Sequence, residues 1–179
     1  GTYNIVVTPA SGATASFTAT LSSDVTGALT VGSPLASTLG RIGQNGRLTF
    51  SGTMGQQLGL TFRNVALSVT SGSHWVYVYK PDGTQLGYVT IQHGQTSTLD
   101  LAALPVTGTY TVLLDLANVV TGSVETLLTE ELALPITVDG AAVTASTTQS
   151  GQTARLSFTG TAGQQLGLGV SGWSFSPST

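Results

Sequence analysis

Gly43-Gln-Asn-Gly-Arg-Leu-Thr-Phe-Ser-Gly-Thr-Met-Gly-Gln-Gln-Leu-Gly-Leu60 returns 108 residues later as Gly151-Gln-Thr-Ala-Arg-Leu-Ser-Phe-Thr-Gly-Thr-Ala-Gly-Gln-Gln-Leu-Gly-Leu168. The first residues return as well: Gly1-Thr-Tyr-Asn-Ile-Val-Val7 becomes Gly108-Thr-Tyr-Thr-Val-Leu-Leu114, 107 residues on. Self-similarity at a fixed period marks a modular array. The period is longer than the roughly 20–50 residues of a solenoid unit. It fits a whole small domain, whose commonest size is about 100–150 residues.

Working outward from the repeat, the 179 residues open inside one copy and stop inside the next. One parse places the last strands of a preceding repeat at 1–26, a complete repeat at 27–133 and the first part of a following repeat at 134–179. The other divides the chain at 1–107 and 108–179. Residues 73 to 107 have no counterpart in the second copy. An incomplete β domain leaves an apolar face and unpaired edge groups, which invite another chain. The expectation is a piece of a longer array, or neighbours that complete one another.

The spacing of apolar residues predicts strands. Tyr3–Thr8, Ala15–Leu21, Leu29–Val31, Arg47–Ser51, Leu58–Phe62 and Val65–Val69 alternate, as do Trp75–Tyr79, Gly87–Ile91, Thr98–Leu101 and Thr109–Leu114. Thr and Val fill these segments and favour a pleated, half-buried surface. Turn residues separate them every ~8–12 residues, as in a sandwich or barrel. Lys80-Pro81-Asp82-Gly83 is the sharpest turn: proline presets φ, Asp bonds its own backbone and Gly takes the left-handed position. It predicts a hairpin with Val76 and Val78 in the core and Trp75, Tyr77 and Tyr79 outside or at the rim. Val124–Leu132 carries a helical period. Its counterpart Phe17–Val25 reads as strand and loop, so the repeat overrules the helix. The fold class expected is all-β, an antiparallel β-sandwich of jelly-roll or immunoglobulin-like type.

Composition narrows the function. Only 7% of residues are charged and the net charge is -3, against about 25% charged in an average domain. Nucleic acid demands a basic stripe that is absent here, and there is no polybasic membrane patch. No apolar run reaches the ~18 residues of a membrane helix, so insertion is not expected. Ser and Thr supply about a quarter of the chain, so neutral hydroxyls must carry solubility. The chain has no cysteine, which leaves the compartment open. Asn-x-Ser/Thr sequons are absent, leaving O-linked sugar as the expected glycosylation.

Arg47 to Gln56, Lys80 to Gly83, Leu104 to Val112, and Arg155 to Gln164 repeating the first, resemble the bacterial pre-peptidase C-terminal domain, especially its tandem copies in large secreted and cell-surface proteins. The resemblance implies a β-sandwich, usually non-catalytic, appended to enzymes or strung in arrays. Some relatives bind calcium or insoluble polymers. This chain lacks the acidic cluster that calcium would need.

Chemistry-bearing motifs are scarce. His74 and His93 are the only candidate general bases, and they read as solvated loop residues. No nucleophile elbow and no EF-hand pattern occurs. Glu125, Glu130 and Glu131 read as a solvated face. No catalytic residue, metal or cofactor is assigned. Trp75, Tyr77, Tyr79 and Tyr88 form an aromatic row suited to sugar rings or to a protein interface, against ordinary cross-strand pairing. Trp173 and Phe175, with Tyr3 and Phe17, are the candidate inter-subunit junction. The expected function is a non-enzymatic structural repeat of an extracellular or cell-surface bacterial filament or array. Its partners would be other copies joined head to tail, or adjacent repeats of a longer chain. The alternative is a carbohydrate- or substrate-binding accessory module of a secreted hydrolase.

Overall fold

The computed structural model describes residues 1–116 and 119–175. Among these there is no helix. The strands are β1 (Val25–Ala28), β2 (Leu35–Leu39), β3 (Gly46–Gly52), β4 (Leu58–Leu67), β5 (His74–Tyr79) and β6 (Gln85–Ile91). They are followed by β7 (Ser97–Asp100), β8 (Gly108–Asp115), β9 (Gly122–Glu130), β10 (Leu132–Pro135) and β11 (Ala154–Ser157). One sheet has the order β1-β3-β8-β5-β6 and a second has the order β2-β9-β4-β7. All pairings within these two sheets are antiparallel except β1 with β3, which is parallel. β10 and β11 form a separate parallel pair. The chain is all-β, and the two larger sheets face each other across one core.

Alternation builds that core. On β3, Leu48 and Phe50 point inward while Arg47 and Ser51 are exposed. Tyr110, Val112 and Leu114 of β8 face them across the strand pairing, and Phe50 stacks on Tyr110 at 5.2 Å and 10°. The buried Tyr110 hydroxyl donates to the Val106 carbonyl at 2.6 Å, so the ring is buried without an orphaned donor. The second sheet adds Leu39, Leu58, Leu60, Phe62, Val124 and Leu128. Gly52 is fixed by packing, because a Cβ there would lie 2.3 Å from Leu104 Cδ1.

The Lys80–Gly83 turn forms as the sequence dictates. Gly83 N–H donates to Lys80 C=O at 2.9 Å, with φ +80° at Gly83. Thr84 donates both N–H and O–H to Asp82 Oδ1, and these bonds, with Lys80 nearby, hold the Asp82 carboxyl below the usual carboxylate range. Val124–Glu130 is strand, part of β9, so the repeat was the better guide than the local helical period.

Four expectations fail. Tyr3–Thr8 and Ala15–Leu21 are not strands: residues 1–21 are exposed along their whole length and join no sheet. Their alternation is strand-like, but a strand needs a neighbour to satisfy its backbone. Leu29–Val31 is not a strand of its own; β1 precedes it and only isolated bridges follow at Thr30 and Val31. Val65–Val69 is no separate strand either, since β4 runs through to Leu67 past an irregularity between Arg63 and Ala66.

The two ends of the sandwich are distinct. Val25 of β1 lies opposite Gly46 at the start of β3. Glu130 of β9 lies opposite Leu58, just past the other end of β3. Six residues of strand separate Gly46 from Gly52, about 20 Å at the usual rise. The chain therefore enters at one end and leaves at the other.

Candidate functional site

The hairpin β5–β6 aims its side chains as the alternation requires. His74, Val76 and Val78 go inward, and Val76 and Val78 are wholly buried. Trp75, Tyr77 and Tyr79 stand on the outer face, joined by Tyr88, which lies opposite Tyr77 on β6. Trp75 stacks on Tyr77 at 6.0 Å and 15°, and meets Tyr88 at 5.4 Å and 54°. Tyr77 meets Tyr79 at 6.2 Å. Trp75 is 44% and Tyr88 55% exposed. The row leads into an open groove of about 340 Å³ bordered by Tyr79, Arg47, Lys80, Thr109 and Thr111. Flat π faces beside one guanidinium, one ammonium and two hydroxyls offer stacking and hydrogen bonding together.

The second candidate lies where the repeat begins again. Arg47 Nε donates to Asp24 Oδ2 at 2.9 Å. One repeat on, Arg155 donates to both oxygens of Glu131, which raises the Arg155 pKa further. Gln44 Nε2 donates to Ser23 C=O, and Gln152 Nε2 to Glu130 C=O, both at 2.9 Å. Gly40 N–H donates to Gln44 Oε1, and Thr148 N–H to Gln152 Oε1. Thr53 N–H donates to Gln56 Oε1, and Thr161 N–H to Gln164 Oε1, both at 3.1 Å. β1 pairs β3 with Val25 opposite Gly46, and β10 pairs β11 with Leu132 opposite Ala154. The polar contacts and strand register around Gly43–Gln56 thus recur, with Glu131 in place of Asp24, around Gly151–Gln164.

There the likeness stops. Phe50 is 2% exposed, but Phe158, its counterpart, is 60% exposed. Ile136, Leu156, Phe158, Leu166 and Leu168 border an open depression of about 400 Å³. Of the junction residues singled out from the sequence, one pair is brought together. Tyr3, Phe17, Trp173 and Phe175 are all exposed. Trp173 and Phe175 stack on each other at 5.6 Å.

Sequence reasoning missed one contact between the copies. The loop 148–153 sits on the outer face of β4 and β7. Thr61 Oγ1 donates to Ser150 C=O at 3.1 Å, and Thr153 Oγ1 donates to Asp100 Oδ1 at 2.7 Å. Thr61 is buried although its position on β4 points away from the core. An unbroken run of buried residues from Leu58 to Phe62 is the signal, and it becomes visible only once the sheet is known.

The histidines and glutamates singled out from the sequence all have defined places in the fold. His74 is buried, not a loop residue, because it is the first inward position of β5. His93, half-buried, accepts a hydrogen bond at Nδ1 from Leu67 N–H at 3.0 Å. The three glutamates expected on a solvated face are engaged: Glu125 with Arg63, Glu130 with Gln56 and Glu131 with Arg155. Among the described residues no three His, Asp or Glu side chains converge as metal ligands.

No protein-family model and no curated protein matches the chain. Solved structures do resemble it at low identity. One is the pre-peptidase C-terminal domain of a collagenase from Bacillus anthracis: 13% identity, TM-score 0.44, covering 59% of this chain and 95% of that one. Another is a periplasmic inhibitor of g-type lysozyme from Aeromonas hydrophila: 11% identity, TM-score 0.41, covering 60% and 97%. A family 6 carbohydrate-binding module follows: 12% identity, TM-score 0.33, covering 60% and 98%. The domain family that the sequence motifs resemble is thus among these structures.

Proposed function

We propose that the chain is a non-enzymatic structural repeat of an extracellular bacterial filament or surface array, its units stacked head to tail. The observation that carries the reading is the recurrence of one set of polar contacts, Arg47–Asp24 and Gln44–Ser23 in the first copy and Arg155–Glu131 and Gln152–Glu130 in the second. Each exposed ion pair contributes only about 0–1 kcal/mol. Its recurrence matters for geometry: it fixes how one unit's first strand leaves the preceding unit's last. With entry and exit at opposite ends, a fixed joint gives a straight axis. In this reading the repeat, expected at 27–133, starts instead at Asp24, which pairs with Arg47, and runs to Glu130; it is flanked by parts of its neighbours, and the hydroxyl-rich surface carries O-linked glycan in the source organism.

A fusion of three copies of residues 24–130 tests this. Small-angle scattering should report a rod whose length grows by a constant increment per copy. Units that tumble independently would sink the array reading.

A second reading has an observation of its own. Trp75 and Tyr88 of the aromatic row are exposed, as a sugar-stacking face requires and a purely structural row does not. If Trp75, Tyr77 and Tyr88 bind polysaccharide, Trp75→Ala together with Tyr88→Ala should weaken retention on insoluble glycans at least tenfold, since stacking on a ring is worth about 1–3 kcal/mol by analogy with bases. Unchanged retention, or none by the parent chain, removes the binding reading.

A further inference from the structure

We propose that the outer face of the five-stranded sheet binds an acidic polysaccharide, with uronic acid rings stacked on the aromatic row and their carboxylates held by Arg47 and Lys80. This inference rests on the polysaccharide reading above and names its substrate class.

The strand register builds the face. Arg47 of β3 lies opposite Leu113 of β8, Leu113 opposite Tyr77 of β5, and Tyr77 opposite Tyr88 of β6. One row of outward side chains therefore crosses four strands, from a cation to two aromatic rings. The next row carries Thr49, Thr111 and Tyr79 in the same order. Neighbouring strands lie about 4.8 Å apart, so the backbones of β3 and β5 run about 10 Å from each other. The long Arg47 side chain reaches across that interval, and Arg47, Tyr79 and Lys80 border one open groove.

Charge chooses the ligand. The chain has five Lys and Arg against eight Asp and Glu. Two of those five cations stand on this groove, and among the described residues no carboxylate borders it. Arg63 and Arg155 are taken up elsewhere by Glu125 and Glu131. Arg47 and Lys80 have acidic neighbours of their own, but neither is fully engaged. Asp24 Oδ2 meets Arg47 at Nε, 2.9 Å away, and a guanidinium has two further nitrogens. That contact orients the fork and leaves its end for a ligand. Asp82 lies 3.9 Å from Lys80 Nζ, beyond hydrogen-bonding distance, and its Oδ1 accepts from Thr84 instead. A carboxylate is the acceptor whose geometry matches a guanidinium fork.

Asp115 sets the direction. It shares the outer face, opposite Trp75, at the far end of the row from Lys80. An acid group is repelled there and drawn to the Arg47–Lys80 end. Sugar rings supply the rest: flat apolar faces for the exposed Trp75 and Tyr88, and hydroxyls for Thr109 and Thr111. A neutral glucan leaves the two cations without a partner. A polyanion without rings leaves the aromatic faces bare.

The joint between repeats spares this face. Loop 148–153 seats on the other sheet, through Thr61 and Asp100. Successive units of an array present the same strip, and a long glycan gains by engaging several at once.

Calorimetric titration of the full chain with three probes tests the assignment. A glucuronic acid hexamer joined as in cellulose should bind at least tenfold more tightly than cellohexaose, the same chain without carboxylates. Polyglutamate, an anion without rings, should also bind at least tenfold more weakly than the glucuronate hexamer. Raising the salt should narrow the gap between hexamer and cellohexaose, since exposed charges are screened. Arg47 is exposed and Lys80 lies in a turn, so Arg47→Gln and Lys80→Gln should keep the parent denaturation midpoint. Each should weaken glucuronate binding about threefold, the usual worth of an exposed charge contact, and together about tenfold. Neither should change the binding of cellohexaose. Equal affinity for the two hexamers, or no loss in the double variant, overturns the uronate assignment and leaves the polysaccharide reading standing. Polyglutamate binding as tight as glucuronate overturns it too, because charge alone then suffices. If no glycan binds, both readings of the face fall.

Discussion

Phe50→Ala should destabilise the 25–130 sandwich by about 3–5 kcal/mol, the usual cost of removing a buried aromatic side chain. Phe158→Ala, the same substitution one repeat later, should cost less than about 0.5 kcal/mol in the dilute chain, as surface changes do. The sequences around the two residues are nearly the same, so propensity cannot separate them. What differs is the partner. Phe50 lies against Tyr110 within 5.2 Å and is closed in by both sheets. Phe158 has β10 beside it and an open depression before it. Part of the first cost is the stacking itself, about 0.5–1.5 kcal/mol beyond area burial. Urea denaturation of the two variants at low protein concentration, followed by circular dichroism, measures both. Equal losses would show that Phe158 is already buried, and would refute the open state of the second copy.

That contrast also marks how much the sequence could say. Alternation in Arg47–Ser51, Trp75–Tyr79 and Thr109–Leu114 was enough to assign strands, an all-β class and the facing of Val76 and Val78, because period two is local. The same alternation in Tyr3–Thr8 misled, because a strand is a property of a pair. The chain supplies no partner for residues 1–8, and no feature of those residues records its absence. His74 was misread for a related reason. A histidine at a strand's first residue looks like a loop residue until the register places it inward. The aromatic row was legible as a face but not in its exposure, which depends on whether anything packs over the outer side of the first sheet. The docking of loop 148–153 was not legible at all, since it joins residues about ninety apart through Thr61, whose neighbours give no sign of burial on both faces.

That loop gives the last expected result. Gly151→Ala should lift the 148–153 loop from the sheet, whereas Gly43→Ala, at the equivalent position, should be mild. Both glycines have φ +73°, so both substitutions carry the same left-handed penalty, about 1 kcal/mol. Their surroundings differ. A Cβ on Gly151 would lie 2.1 Å from Thr61 Oγ1 and 3.0 Å from Thr98 Cγ2, while one on Gly43 meets nothing within 4 Å. Thr61 cannot withdraw, because it lies in β4 between β7 and β9 and its Cβ is itself 3.3 Å away. The loop must move instead, breaking the bonds from Thr61 to Ser150 and from Thr153 to Asp100. Those bonds tie the second copy to the outer face of the first, so their loss should free β10 and β11 from the sandwich while leaving its core untouched. Hydrogen exchange at Leu132 and Ile136, whose amides bond Thr153 and Ser157, should accelerate more than tenfold in Gly151→Ala. Exchange in β3 and β8 should stay at the parent rate. Gly43→Ala should leave both regions within about threefold of the parent, since it adds backbone strain without a clash. If the two variants behave alike, strain alone governs the loop, and the seat on Thr61 contributes nothing to how one unit is held on the next.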